Sequence, residues 1–159
     1  NVHATTFNGA LSQHNNRIYL GNQSSDVGSN VGGGGTSQYY IMYAWKAVSG
    51  VSAFGTYEGT GGAWTSGNNG GAIDVGFKPS FVMVKSIDST GPSWAIMDKF
   101  RSSTGDTFRE SVWADGDWAE GNSSGYEITF NSTGFKFTAN STSDNINKNG
   151  DTFIYMAFA

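Results

Sequence analysis

The chain has no cysteine among its 159 residues. A disulfide framework, a thiolate zinc site and a redox dithiol are therefore excluded. A chain of this length buries a core without such staples. Proline and histidine occur only twice each. Charged residues make up 14%, against a usual share of about 25%. Helices draw on Glu, Lys, Arg and Leu for their exposed faces, and these are scarce here. Nine basic residues face 13 acidic ones, for a net charge of −4. No run of Lys or Arg supplies the basic patch that a nucleic-acid binder needs. No apolar run is long enough to span a bilayer, so no membrane insertion is expected. The chain opens without Met or a signal peptide and ends directly after an apolar stretch, which reads as a piece of a longer chain.

What is present is strand and turn. Aromatics make up 14% and there are 23 glycines. Strand patterns succeed one another at Arg17–Gly21, Gln38–Ala47, Ser52–Glu58, Ser80–Ile87, Ser93–Met97, Phe108–Trp113, Tyr126–Phe130, Gly134–Thr138 and Thr152–Phe158. Polar, glycine-rich spacers separate them, and no segment keeps a 3.6-residue apolar period. The fold class is all-β: an antiparallel β-sandwich, jelly-roll-like. Lys99–Arg109 reads as a polar connector. Glu127 and Lys136 alternate with apolar residues, as on strands with one wet face.

Two strands break that alternation. Tyr39–Trp45 and Phe153–Phe158 are apolar at nearly every position, a pattern that predicts burial on both faces. They also resemble each other, Ile41–Trp45 lying over Ile154–Phe158, and the residues before them correspond. A tandem repeat follows: residues 1–48 close a preceding repeat, and 49–159 form a complete sandwich. The alternative is a duplicated hairpin whose strands all join one sandwich. An apolar second face must be hidden, so Tyr43, Trp45, Met156 and Phe158 are candidates for an interface between copies of the chain.

Catalysis finds little to work with. His3 and His14 have no Gly-x-Ser-x-Gly elbow beside them. The carboxylates at 58, 98, 110, 120 and 127 show no paired spacing for glycoside hydrolysis. The glycine stretches Gly32–Gly35 and Gly67–Gly71 lack the Gly-Lys-Ser/Thr ending of a phosphate loop. No enzymatic activity and no cofactor are expected. The most site-like stretch is Trp113–Gly121. Aromatic faces stack on sugar rings and carboxylates accept sugar hydroxyls, which makes Trp113, Asp115, Asp117 and Trp118 a candidate sugar contact. Oxygen ligands at Asp115, Asp117 and Glu120 make a calcium site the alternative, although the spacing is not that of an EF-hand. The third reading is a hairpin tip whose tryptophans cap the core.

Five motifs then appear in order. Gly55-Thr56-Tyr57-Glu58-Gly59-Thr60-Gly61 precedes Val75-Gly76-Phe77-Lys78-Pro79-Ser80-Phe81-Val82-Met83-Val84-Lys85. Trp94-Ala95-Ile96-Met97-Asp98-Lys99-Phe100-Arg101 follows. Asn131-Ser132-Thr133-Gly134-Phe135 and Asn149-Gly150-Asp151-Thr152-Phe153-Ile154-Tyr155-Met156-Ala157-Phe158-Ala159 close the series. This order resembles a repeat of marine bacteriophage and cyanophage tail-associated proteins. The resemblance implies a non-enzymatic virion module, in a tail fibre or tail tip, with a structural and host-adhesion role. It further implies a homo-oligomer, by preference a trimer, beside other virion proteins and facing a host surface glycan. A capsid decoration protein and a carbohydrate-binding module of an extracellular protein are the alternatives. Asp98 and Arg101 fall on the "Asp-x-x-Arg" of that repeat, where an ion pair would pin the connector to the sheet.

Overall fold

The computed structural model describes residues 11–14, 17–20, 43–62, 72–101 and 105–159. The chain divides into two compact units, with the boundary between Trp45 and Lys46. In the first, β1 (Leu11–His14) pairs antiparallel with β2 (Arg17–Leu20), Leu11 opposite Leu20 and His14 opposite Arg17. β1 was not foreseen, while β2 falls within the expected strand. His3, Gly32–Gly35 and Gly67–Gly71 lie outside the described residues.

The second unit is all-β and holds two antiparallel sheets. Its strands are β3 (Ser52–Glu58), β4 (Ile73–Asp74), β5 (Phe81–Ser86), β6 (Ala95–Asp98), β7 (Thr107–Phe108), β8 (Glu110–Trp113), β9 (Gly121–Asn122), β10 (Ile128–Phe130), β11 (Gly134–Phe137) and β12 (Thr152–Phe158). Six form one sheet in the order β3-β12-β5-β6-β8-β9, and four form the other, β4-β11-β10-β7. A single turn, α1 (Asp144–Asn147), interrupts the closing loop. Ser143 caps it by accepting from the Asn145 N–H at 3.3 Å.

Alternation builds the core. Phe153 and Ala157 on β12, Val82 and Val84 on β5, and Ala95 and Met97 on β6 point inward and are fully buried. The small sheet answers with Ile73, Phe135, Phe137, Ile128, Phe130 and Phe108. Tyr57 joins the sheets, stacked on Phe153 at 5.0 Å and tilted against Phe137 at 5.3 Å. On β12 the Tyr155 ring lies over Gly55, its cross-strand neighbour. A Cβ on Gly55 would stand 2.7 Å from the Tyr155 hydroxyl.

Several expectations change. Tyr43–Ala47 lies in no strand, and 38–42 are outside the described residues. Val48 instead opens a tight turn into β3, exchanging backbone hydrogen bonds with Ser52 at 3.0 and 2.9 Å. The strand expected at Phe108–Trp113 splits at Arg109: Phe108 belongs to the small sheet and Glu110–Trp113 to the large one. Arg109 stands at that corner, ion-paired with Glu127 at 2.7 Å. Glu127 is therefore buried just before β10, not on a wet face, whereas Lys136 is exposed. Phe153–Phe158 is buried on its inner face alone, and Ile154, Met156 and Phe158 are half-exposed on the outer one.

The loop from β3 to α1 closes on Asn147, which is fully buried. Its Oδ1 accepts from the Thr60 N–H at 2.9 Å, and its Nδ2 donates to the Gly62 and Ser141 carbonyls at 2.9 Å each. Removing this amide takes the partner from one buried backbone group, the Ser141 carbonyl, and from two partly buried ones at Thr60 and Gly62. We expect Asn147→Ala to destabilise the fold by about 2–4 kcal/mol, read from urea unfolding followed by tryptophan fluorescence. A loss below about 0.5 kcal/mol would show that water replaces the amide freely.

Candidate functional site

The Trp113–Gly121 loop sits at the end of β8 and is tied back to β6. Asp115 Oδ1 accepts from the Trp94 N–H at 3.0 Å, and the Ala114 N–H donates to the Trp94 carbonyl at 3.0 Å. The loop tip is thereby held against the strand beside it. Trp113 is half-buried, edge-on to Trp118 at 5.6 Å and to Tyr126 at 5.7 Å. Its ring also fills the space where a side chain at Gly121 would stand. Trp118 is 62% exposed. Of the four residues read as a sugar contact, Trp118 offers an open ring, Asp117 is exposed, Asp115 is held by Trp94, and Trp113 serves as a support beneath.

The three oxygens considered for calcium are not brought together. Asp115 turns to Trp94, and Glu120 turns to Arg101 at 3.3 Å. Among the described residues no group of three or more acidic or histidine side chains is placed to hold a metal.

Asp98 and Arg101 form the ion pair that the motif suggested. Arg101 Nε donates to Asp98 Oδ2 at 2.6 Å, and Nη2 donates to the Ile96 carbonyl at 3.1 Å. Asp98 Oδ1 also accepts from the N–H groups of Phe100 and Arg101 at 2.9 and 3.2 Å. This clamp fixes the turn after β6 and lifts Phe100 into solvent at 81% exposure. Lys99 covers one face of that ring at 5.0 Å. Phe100 was passed over in the sequence because it lies in a stretch read as a polar connector.

A second grouping was not legible in the sequence. A polar cavity of about 400 Å³ is lined by Ser89, Thr90, Gly91, Pro92, Asp144, Asn145 and Lys148. Lys148 Nζ donates to Ser89 Oγ at 2.6 Å and stands 3.8 Å from Asp151. Asp151 in turn accepts from the buried Ser86 hydroxyl at 2.8 Å. The serine–lysine proximity has the composition of a nucleophile and base, but a lysine paired to a carboxylate acts as a donor. The array ties the β5–β6 loop to the start of β12. Burial alone would push the Asp151 carboxyl up. Hydrogen bonds from Ser89 and Ser86 and the Lys148 ammonium outweigh that and hold it below its ordinary value.

Glu127 is lowered as well. The Thr138 hydrogen bond is the largest cause, burial opposes it, and Arg109 and Asn140 add to the lowering. The charge is thus built into the sheet corner. Tyr57 moves the other way, its phenol pushed well above the ordinary value by burial while its hydroxyl donates to the Ile146 carbonyl at 2.6 Å.

With this geometry in hand, comparison with known proteins gives a single family. The chain belongs to the domain of unknown function DUF7483, matched over residues 2–159. It matches no curated protein and no solved structure.

Two carboxyls with lowered folded-state values make a pH prediction. Each is ionised more readily in the folded chain than in the unfolded one. Their stabilisation is complete above the ordinary carboxyl values of 4.5 and 3.8 and is lost as pH falls through and below them. We expect the melting temperature to hold between about pH 6 and pH 7 and to fall below about pH 4.5. Glu127→Gln should be less stable than the native chain by about 1–2 kcal/mol at neutral pH, and the two should converge on acidification. A difference independent of pH would remove the Glu127 charge from the account.

Proposed function

We propose that the chain is a non-enzymatic building and adhesion module of a phage particle, carried in a tail fibre or tail-tip protein. The observation that carries the reading is the contrast between Trp118 and the motif residues. The motif residues are engaged in the scaffold: Tyr57 and Gly59 around Asn147, Phe77 and Pro79 in the core, Asp98 and Arg101 in a clamp. Trp118 is held out on a loop pinned by Asp115, with Trp113 behind it. A fixed, exposed indole is suited to stacking on a sugar ring, and its position costs little further ordering on binding.

In this reading the particle multiplies a weak contact. Linked copies raise overall binding by about 10²–10⁴-fold, so one exposed ring per module serves for adhesion to a host surface glycan. The partners are other copies of the chain and neighbouring virion proteins. A capsid decoration protein is the second reading, favoured by the apolar outer surface of the large sheet.

A glycan array probed with the chain displayed on beads provides the test. We expect binding to host-type polysaccharide, at least about tenfold weaker for Trp118→Ala, with circular dichroism unchanged. Trp118 is exposed and its removal leaves the core intact. Binding indifferent to Trp118 would overturn the assignment of the ring. Polysaccharide turnover abolished by a single acidic substitution would overturn the non-enzymatic reading.

A further inference from the structure

The outer surface of the six-stranded sheet is apolar across its whole middle. By ladder register Phe54, Met156, Met83 and Ile96 stand side by side on β3, β12, β5 and β6, and Val112 of β8 continues the row. Phe158 and Phe81 flank the row toward one end of the strands, and Ile154 flanks it toward the other. Phe158 meets Phe54 at 5.9 Å and Phe81 at 5.8 Å, both ring to edge. None of these side chains is fully buried, and Phe54 is 37% exposed. The margins are polar. Thr56 and Lys85 stand at one end, and Asp98 and Glu110 at the other. An apolar centre with a polar rim is the anatomy of a protein interface.

We propose that this face joins two copies of the chain, packed sheet on sheet about a two-fold axis that runs across the strands. A two-fold contact must be complementary to itself. An axis along the Phe54–Val112 row lays that row against its own copy, apolar on apolar. It also turns the acidic end of one copy over the end that carries Lys85, which comes to lie one strand away from the partner's Asp98. A two-fold axis along the strands would instead set Lys85, near the centre of the sheet, against its own copy. Like charges so placed are strongly disfavoured. The charge pattern therefore selects the first axis.

The size fits a weak, reversible contact. At about 4.8 Å between strands and about 3.4 Å per residue, the face measures roughly 20 Å by 17 Å. Two such faces present roughly 700 Å² in projection, below the ~1,000 Å² of a stable specific interface, so the contact is a weak, reversible one. This pairing uses Met156 and Phe158, which alternate outward on β12, and does not depend on what the particle binds.

Sedimentation equilibrium of the whole 159-residue chain, between about 1 and about 100 µM, decides the matter. We expect a monomer–dimer equilibrium in the micromolar range. Ile96→Lys should weaken it at least about tenfold with circular dichroism unchanged. Lys85→Glu leaves the apolar row intact and should weaken it by a similar factor while removing most of its salt dependence. Oxidation of Met83 and Met156 by hydrogen peroxide supplies a readout independent of any variant, since it should slow as the dimer forms. A monomer throughout the range overturns the proposal, and a trimer overturns its two-fold geometry. A dimer whose methionines oxidise at a rate indifferent to concentration uses another face and overturns it too.

Discussion

The side-chain amide of Asn147 ties the Thr60–Gly62 stretch to the closing loop, 87 residues further along the chain. It takes the Thr60 N–H and gives its own two hydrogens to Gly62 and Ser141. Around it the backbone closes further: Gly61 N–H to the Asn147 carbonyl, Gly59 N–H to Asp151, and Gly150 N–H back to Gly59. Gly59 has no room for a side chain, since a Cβ there would collide with the Lys148 carbonyl. Gly61 adopts a positive φ of 70° beside Asn149, a conformation that L side chains resist. A buried amide with three partners is strongly directional, and leaving any one unmet is costly. The end of β3, the turn α1 and the start of β12 are therefore placed relative to one another before any packing is counted.

Packing then follows from where that lock sets Tyr57. Its ring lies parallel to Phe153, its neighbour on β12, at an interplanar angle of 5°. From there it reaches Phe135 and Phe137 of the other sheet. Its hydroxyl is satisfied at Ile146, one residue before the amide. The same ring thus belongs to the large sheet by its backbone, to the small sheet by its contacts and to the closing loop by its hydroxyl. Truncating such a residue typically costs about 3–5 kcal/mol. Here the lost stabilisation would be shared between core and loop, because the two are joined at one side chain.

Much of this was legible in the residues, and the exceptions have physical causes. Ser52–Glu58 and Thr152–Phe158 were read to the residue because turn chemistry bounds both and β-branched and aromatic residues fill them. β4, β7 and β9 are two residues each, too short for any period to register. The split at Arg109 leaves only a short polar run, Arg109-Glu110-Ser111, in the sequence, and the ion pair with the buried Glu127 carboxylate reveals the corner. In the candidate site the sequence left open whether Trp118 caps the core or stands exposed, and the ring is exposed. The engagement of Asp115 by Trp94 and of Glu120 by Arg101 was not, since both are long-range contacts with no local signature. The glycines of the Tyr57–Gly61 motif stood out in the sequence, but their reason, a fit around a distant asparagine, exists only once the chain is closed.

The scarcity of charge connects these observations. With so few ionisable side chains, most of them have defined work. Arg101 and Asp98 fix the turn after β6, Arg109 and Glu127 hold the sheet corner, and Lys148 and Asp151 bind the closing loop. What remains for the surface is serine, threonine, asparagine and glycine, which suit turns but cannot cover a broad sheet. β12 sits between β3 and β5 with ladders on both sides, so its period-two pattern must serve two faces at once. Its inward residues meet the aromatic core. Its outward ones are aliphatic and aromatic too, where an antiparallel sheet with one wet face alternates polar residues outward. Hiding such a surface is worth about 25 cal/mol per Å² of apolar area. The sequence keeps this surface apolar across its middle and sets Lys85, Asp98 and Glu110 at its margins.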